Sequence, residues 1–178
     1  MCRLRFIEPE EADPLTRKLF SKKVVIPNLL CIMANSEVVI DSFANYNANL
    51  DKFKLSVKYR EIISLAVSQF NRCPYCIALH TSNAVDGGIL THRECLEARR
   101  RKSPDPKINV ILKLTNEILE KRGHISDQII SKVKQQGFID EDIIEAIAII
   151  SLIIQANYTA SVSKPEIDFL EPPPLDEE

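Results

Sequence analysis

The sequence has no tryptophan, only 4 glycines among 178 residues, and little excess of charge, since its formal net charge is -2. So small a net charge gives no electrostatic reason to expect nucleic-acid binding. The longest apolar run, residues 146–154 interrupted by Ser151, is far below the ~18 residues that span a bilayer, so we expect a buried core helix there. The N-terminal residues lack the apolar segment of a secretory signal. These absences favour a single soluble domain.

Patterns typical of β-strands are scarce as well. The best candidate, residues 23–26, is stopped at once by Pro27. The glycines stand where helices would end, and cap-like Asp, Ser and Thr residues precede several helix-periodic segments. We therefore predict an all-α fold with about seven or eight helices. The predicted bounds are residues 14–21, 37–50, 57–70, 74–86, 92–101, 106–122, 127–136 and 141–157.

One helical domain is predicted for residues 1–163, because the one plausible internal linker, residues 103–106, separates pieces too small to be domains. Prolines after Lys164 exclude a helix in the last part of the chain. Residues 164–178 are therefore predicted to form an extended or disordered arm, which in an oligomer could lie across a neighbouring subunit. The basic run at residues 99–102 is interpreted as a solvated helix end without a function of its own.

The chain has 5 cysteines, an odd number without the spacing of a disulfide framework. This favours reduced thiols in a reducing compartment, so we expect a cytoplasmic location. The most informative motif is Cys73-Pro74-Tyr75-Cys76. A disulfide closes only when the two Cβ atoms lie about 4 Å apart, and two intervening residues at the start of a helix allow that. The pair is therefore predicted to switch between dithiol and disulfide.

The surroundings of the pair indicate how it would be activated. Pro74 suits the first position of a helix, which places Cys73 at the N-cap, where the helix dipole favours a thiolate. His80 lies one helical turn after Cys76 and shares its face. Glu61 is predicted on the preceding helix, and antiparallel packing brings it to the depth of His80. Because a carboxylate can orient a histidine that serves a nucleophilic thiol, these residues form one candidate catalytic site.

At these positions the sequence resembles the AhpD-like branch of the carboxymuconolactone decarboxylase superfamily, whose redox members share a glutamate, a CxxC pair and a histidine four residues on. That pattern is matched in type and spacing by Glu61, Cys73, Cys76 and His80. The sequence looks most like the peroxidase-related members of this branch, and the similarity runs through residues 6–157. It implies an AhpD-like helical bundle with the CxxC site on a helix hairpin, no cofactor, and a homo-oligomer that is a trimer or hexamer. It also implies thiol-dependent reduction of hydroperoxides or disulfides, with a lipoyl protein or a thioredoxin-like protein as the dithiol reductant.

One position departs from the family pattern. AhpD itself has a histidine immediately before the second cysteine, where this chain has Tyr75. A tyrosine hydroxyl can donate a hydrogen bond but is not a base near neutral pH. The proton relay would then depend on His80 and Glu61 alone, and the electron donor is left open.

The predicted mechanism starts from a Cys76 thiolate whose proton passes to His80 and is held by Glu61. Cys76 attacks a hydroperoxide, and Cys73 resolves the resulting sulfenic acid as a disulfide. Helix-dipole reasoning alone would instead favour Cys73 as the nucleophile. The roles of the two sulfurs therefore stay open at this point.

Two other classes of function compete with this hypothesis. The lyases that name the superfamily use a histidine for proton transfer and need no cysteines, and a pair at redox spacing argues against that activity. A non-catalytic, zinc-stabilised protein would need a fourth ligand beside the CxxC pair and His80. The candidates, none of them in a second closely spaced pair, are Cys2, Cys31, Cys95, His92 and His124.

Overall fold

The structure is a computed structural model that describes residues 2–22 and 25–175. Within these ranges it contains nine α-helices, one short 3₁₀ helix and no β-strand, which confirms the all-α prediction. Lys23 and Val24 of the strand candidate lie outside the described residues. The helices are α1 (Pro14–Phe20), α2 (Asn28–Met33), α3 (Glu37–Asn49), the 3₁₀ turn (Leu50–Lys52), α4 (Val57–Phe70), α5 (Pro74–Asp86), α6 (His92–Arg99), α7 (Pro106–Lys121), α8 (Asp127–Gln135) and α9 (Asp140–Ser163).

Helix α4 is the central element and contacts α5, α6, α7 and α9. A helix with apolar residues on every side is stable only when it is buried. The side chains in the middle of α4 that are at most 1% exposed are Ile62, Ile63, Leu65, Ala66 and Val67. Burying one large apolar side chain stabilises the fold by about 1.5–3 kcal/mol. The buried side chains therefore hold α4 in place, and with it the polar residues at the edge of this helix.

The start of α4 is fixed by a buried carboxylate from α9. Glu145 is 9% exposed and accepts hydrogen bonds from the backbone N–H groups of Lys54 at 3.0 Å and Leu55 at 2.7 Å. Hydrogen bonds to an ionised acceptor are roughly twice as strong as neutral ones. The contact therefore holds the segment that leads into α4, and with it the helix that carries Glu61.

Helix α2 was missed by the sequence patterns, so the helix count exceeds the predicted seven or eight. It has 6 residues, and such a short, continuously apolar run does not show helical periodicity. A helix of this length is unstable alone. Residues 29–33 are all buried, so tertiary packing supplies the stability that the local sequence lacks.

Helix α9 is longer than predicted, since it ends at Ser163 rather than at residue 157. The hydroxyls of Thr159 and Ser163 donate to backbone carbonyls one turn earlier, so these polar side chains are satisfied within the helix until Pro165 stops it. Among the described helices, α9 has the length and hydropathy to cross a membrane. However, 56% of its most apolar window is buried inside the protein, as in the core helix that the sequence predicts.

Candidate active site

The CxxC motif lies at the turn between α4 and α5. Arg72 adopts a left-handed conformation, with φ of 51°, and reverses the chain within a few residues. The backbone N–H of Cys73 then donates to the Ser68 carbonyl at 3.0 Å. Cys73 is the N-cap of α5 and Pro74 is the first residue of that helix, which are the positions that the sequence predicts for them.

Both sulfur atoms of the motif are buried free thiols. Cys73 is 0% exposed and Cys76 is 1% exposed. A hydrogen bond from the Cys76 thiol lowers the pKa of Cys73 to about 7, against the opposing effect of burial. The same hydrogen bond raises the pKa of Cys76, and burial of this thiol raises it further. In the resting dithiol this hydrogen bond therefore favours ionisation of Cys73 over ionisation of Cys76.

A thiolate titration tests this distribution of charge. The thiolate absorbance of Cys73 is identified as the part of the signal that is absent in Cys73→Ser. It should titrate with a midpoint near 7, because the pKa of Cys73 is lowered from 9.0 to about 7. Cys76→Ala removes the hydrogen-bond donor and should raise that midpoint. Cys95→Ala, in a separate apolar cluster, is the matched control and should leave it unchanged. A midpoint that Cys76→Ala does not move would contradict the role of the hydrogen bond.

The lowered pKa of Cys73 also affects stability. An acid that ionises more readily in the folded than in the unfolded chain stabilises the fold as pH rises. This contribution is complete above pH 9.0 and is lost as pH falls through about 7. The raised pKa of Cys76 acts in the opposite sense above the ordinary thiol value, so the stability contributed by the pair rises with pH only between about 7 and 9.0.

Glu61 and His80 lie side by side across the α4–α5 hairpin. His80 Nδ1 is 2.9 Å from Glu61 Oε2, and the two side chains are 12% exposed for His80 and 15% for Glu61. With Nδ1–H donating to the carboxylate, Nε2 is the ring nitrogen that can accept a proton. This is the geometry of a histidine base oriented by a carboxylate.

The Glu61–His80 pair and one of the two CxxC sulfurs line the same cavity, which has a volume of about 510 Å³. Among the described residues, Glu61, His80 and Cys76 line the cavity and Cys73 does not. Much of the remaining wall is apolar and comes from several helices and from the chain after α9. These apolar wall residues include Leu29, Leu30, Phe43, Leu79, Ile153 and Phe169. Cys76 is thus the sulfur that a molecule in the cavity would meet, beside the histidine base.

Helix α9 adds two polar residues that the sequence did not single out. Asn157 is 0% exposed, and its amide donates to Ser68 Oγ at 3.3 Å. The pKa of Cys76, raised by Cys73 and by burial, is lowered in part by a hydrogen bond with Asn157. Ser161, one turn later, adds to the effect of Cys76 in lowering the pKa of Cys73. The only sequence signal for Asn157 is an amide within an apolar helix.

Tyr75, the residue that departs from AhpD, is buried and tied to α2. Its hydroxyl accepts a hydrogen bond from the backbone N–H of Leu29 at 3.1 Å. Burial raises the pKa of Tyr75, so the phenol stays neutral. Its ring packs edge-to-face against Phe169, with centroids 5.8 Å apart. Tyr75 therefore links the CxxC turn to neighbouring segments and does not act as a base.

Among the described residues, the other cysteines and the other histidines do not line this cavity. Burial raises the pKa of Cys31 and of Cys95 to about 11, so both are mainly protonated thiols at neutral pH. Cys2 donates to backbone carbonyls, and His92 and His124 are exposed. Among the described residues, no three or more His, Cys, Asp and Glu side chains are grouped so as to hold a metal ion.

Comparison with known proteins identifies relatives of this fold. The model of the carboxymuconolactone decarboxylase family matches residues 39–112. A peroxidase-related protein from Silicibacter sp. TM1040 shares 23% identity over 93% of this chain and 94% of its own, with a TM-score of 0.75. A peroxidase-related protein from Ralstonia eutropha JMP134, described as an alkylhydroperoxidase AhpD core, shares 17% identity over 94% of this chain and 92% of its own, with a TM-score of 0.81.

A further similar structure is the debrominase Bmp8, solved as a cysteine-to-alanine variant in complex with 2,3,4-tribromopyrrole. It shares 17% identity over 88% of this chain and 84% of its own, with a TM-score of 0.71. No curated protein sequence matches the chain. The family match covers the helix hairpin with all four predicted site residues, and the structural likeness covers nearly the whole chain. The chain therefore has the AhpD-like fold, and its residues 39–112 match the model of the carboxymuconolactone decarboxylase family.

Proposed function

We propose that the protein is a thiol-dependent oxidoreductase that reduces hydroperoxides through a dithiol–disulfide cycle of Cys73 and Cys76. The observation that supports this most is the shared cavity, which Cys76 lines together with the hydrogen-bonded His80–Glu61 pair. A thiol attacks as its thiolate, and an adjacent base can generate that thiolate during the attack. The apolar part of the wall suits an organic hydroperoxide.

In the proposed reaction, the Cys76 proton passes to His80 Nε2 while the sulfur attacks the terminal oxygen of the hydroperoxide. The S–O bond forms, the O–O bond breaks, and His80 returns the proton to the leaving alkoxide, giving an alcohol and a Cys76 sulfenic acid. Cys73, the other cysteine of the pair, then attacks the sulfenic sulfur as its thiolate. Hydroxide leaves, takes a proton from solvent, and the disulfide remains. The thiolate of Cys73 thus serves the second step.

The cycle closes when an external dithiol, a lipoyl protein or a thioredoxin-like protein, reduces the disulfide. Cysteines without a disulfide framework support the reducing cytoplasm as the place of action. A homo-oligomer, trimer or hexamer, is part of the proposal because α9 exposes large apolar side chains. These are Ile144 at 65%, Ile147 at 40%, Tyr158 at 59% and Val162 at 59% exposure.

Reductive debromination is a second candidate, favoured by the likeness to the debrominase Bmp8. A dithiol holds the two electrons needed to replace a carbon–bromine bond with a carbon–hydrogen bond, and the products are bromide, a proton and the disulfide. The largely apolar cavity beside Cys76 suits a flat aromatic ring. This reaction would use the same two cysteines and differs in the electron acceptor.

Single-turnover oxidation of the pre-reduced protein tests both candidates. With cumene hydroperoxide we expect about one equivalent of alcohol per subunit, formed together with a Cys73–Cys76 disulfide that peptide mapping identifies. A parallel incubation with 2,3,4-tribromopyrrole, the Bmp8 ligand, measures released bromide. Faster oxidation of the dithiol by the bromopyrrole than by the hydroperoxide would favour debromination.

The double variant Cys73→Ser, Cys76→Ser separates these redox reactions from the lyase alternative. Both redox reactions should be lost in it, since each consumes the dithiol. Conversion of a carboxymuconolactone-type substrate by the double variant would overturn the redox proposal. Hydroperoxide consumption by the wild type without formation of the disulfide would overturn it equally.

A further inference from the structure

After α9 the chain runs back to the site as an arm without helix or strand, residues 165–175. Asp168 Oδ2 accepts a hydrogen bond from the backbone N–H of Asn28, at the start of α2, at 2.9 Å. Farther along, Arg99 of α6 donates to the Pro173 carbonyl at 2.8 Å. Arg99 is 5% exposed, so the interpretation of this residue as part of a solvated helix end is wrong. The arm is thus attached at two points to helices of its own chain.

Between these two points, Phe169 forms part of the cavity wall. Its ring packs edge-to-face on Tyr75, with centroids 5.8 Å apart and planes at 86°. It also packs against the apolar cluster that contains Cys73 and Cys76. The next residue, Leu170, is 86% exposed. One aromatic side chain of the arm therefore closes this part of the cavity.

We propose that Phe169 is a specificity-determining residue whose ring limits the size of the molecules that reach Cys76. Cys76 is only 1% exposed, so access to it depends on what the cavity wall admits. Much of that wall belongs to helices held by backbone hydrogen bonds and core packing, whereas the arm has no helix or strand and bends at Phe169. The inference rests on the proposed function for its substrate, and Phe169 then restricts that substrate to compact hydroperoxides.

The rate at which Cys76 is alkylated measures how accessible its sulfur is, and this measurement does not require the protein to be catalytically active. Reduced wild type, Phe169→Ala and Phe169→Leu are treated with iodoacetamide, which is small, and with N-phenylmaleimide, which is bulky, and peptide mass spectrometry follows the labelling of Cys76. Phe169→Ala should raise the bulky-to-small rate ratio about tenfold, a typical effect of changing pocket size. Phe169→Leu should give a smaller rise and keeps an apolar anchor if the alanine variant does not fold. Leu170→Ala is the matched control and should keep the wild-type ratio.

The reduction rates of hydroperoxides of two sizes test whether access to Cys76 also determines substrate choice. The rate of cumene hydroperoxide reduction relative to that of hydrogen peroxide should rise in both Phe169 variants and stay constant in Leu170→Ala. Alkylation ratios unchanged in both Phe169 variants would overturn the inference, even if hydroperoxides are reduced. A raised alkylation ratio without turnover of any hydroperoxide would support the role of Phe169 and contradict the proposed function.

Discussion

Cys76→Ser is expected to abolish hydroperoxide reduction, a loss of at least about 10³-fold, as is usual when a nucleophile is removed. The reason is that Cys76 is the sulfur in the cavity wall. Cys73→Ser should also stop turnover but leave the first step intact, because Cys73 acts only when the sulfenic acid is resolved. A dimedone-type trap and mass spectrometry should therefore find a sulfenic acid at Cys76 in Cys73→Ser and none at Cys73 in Cys76→Ser.

Cys95→Ser is the matched control for these variants. Cys95 is as buried as the site cysteines, at 2% exposure, but it lies in the apolar cluster around α6, and burial raises its pKa to about 11. Its replacement should leave turnover at the wild-type rate. A sulfenic acid trapped at Cys73 in Cys76→Ser, with none in Cys73→Ser, would reverse the roles of the two sulfurs, as the helix dipole alone would favour.

The local geometry of the site could be predicted from the sequence because it follows from short-range rules. Pro74 at the start of a helix places Cys73 at the N-cap. Two helices joined by a tight turn must pack antiparallel, which brings Glu61 opposite His80 and gives the contact of 2.9 Å. Each step needs only helix geometry and one hairpin.

Features that depend on distant segments could not be predicted in the same way. Asn157 and Phe169 come to the CxxC turn from the end of the chain, and no local pattern relates them to it. The relative acidity of the two sulfurs could not be predicted from local patterns either, because it depends on burial and on the hydrogen bond between the two thiols. The sequence therefore predicts which residues meet across the α4–α5 hairpin better than it predicts the cavity wall around them.

Replacing His80 by asparagine is expected to give the largest loss after that of the nucleophile. General acid–base catalysis by one side chain is typically worth about 10²–10⁴-fold, so kcat/KM for the hydroperoxide should fall by that factor in His80→Asn. An asparagine can still form a hydrogen bond with Glu61 but cannot relay the Cys76 proton to the leaving alkoxide. His92→Asn, at the exposed start of α6, is the matched control and should retain wild-type kinetics.

Glu61→Gln then shows whether the carboxylate acts through the histidine. Loss of a group that orients a functional histidine typically costs about 10–100-fold, and we expect a fall in kcat/KM in that range in the wild-type background. In the His80→Asn background the same change should cost almost nothing, because the Glu61 carboxylate would have no imidazole to orient. Additive losses in the double variant would show that Glu61 acts independently of His80 and would contradict the relay. Since the 2.9 Å contact with Nδ1 leaves Nε2 to exchange the proton, strong non-additivity is the kinetic result that this geometry requires.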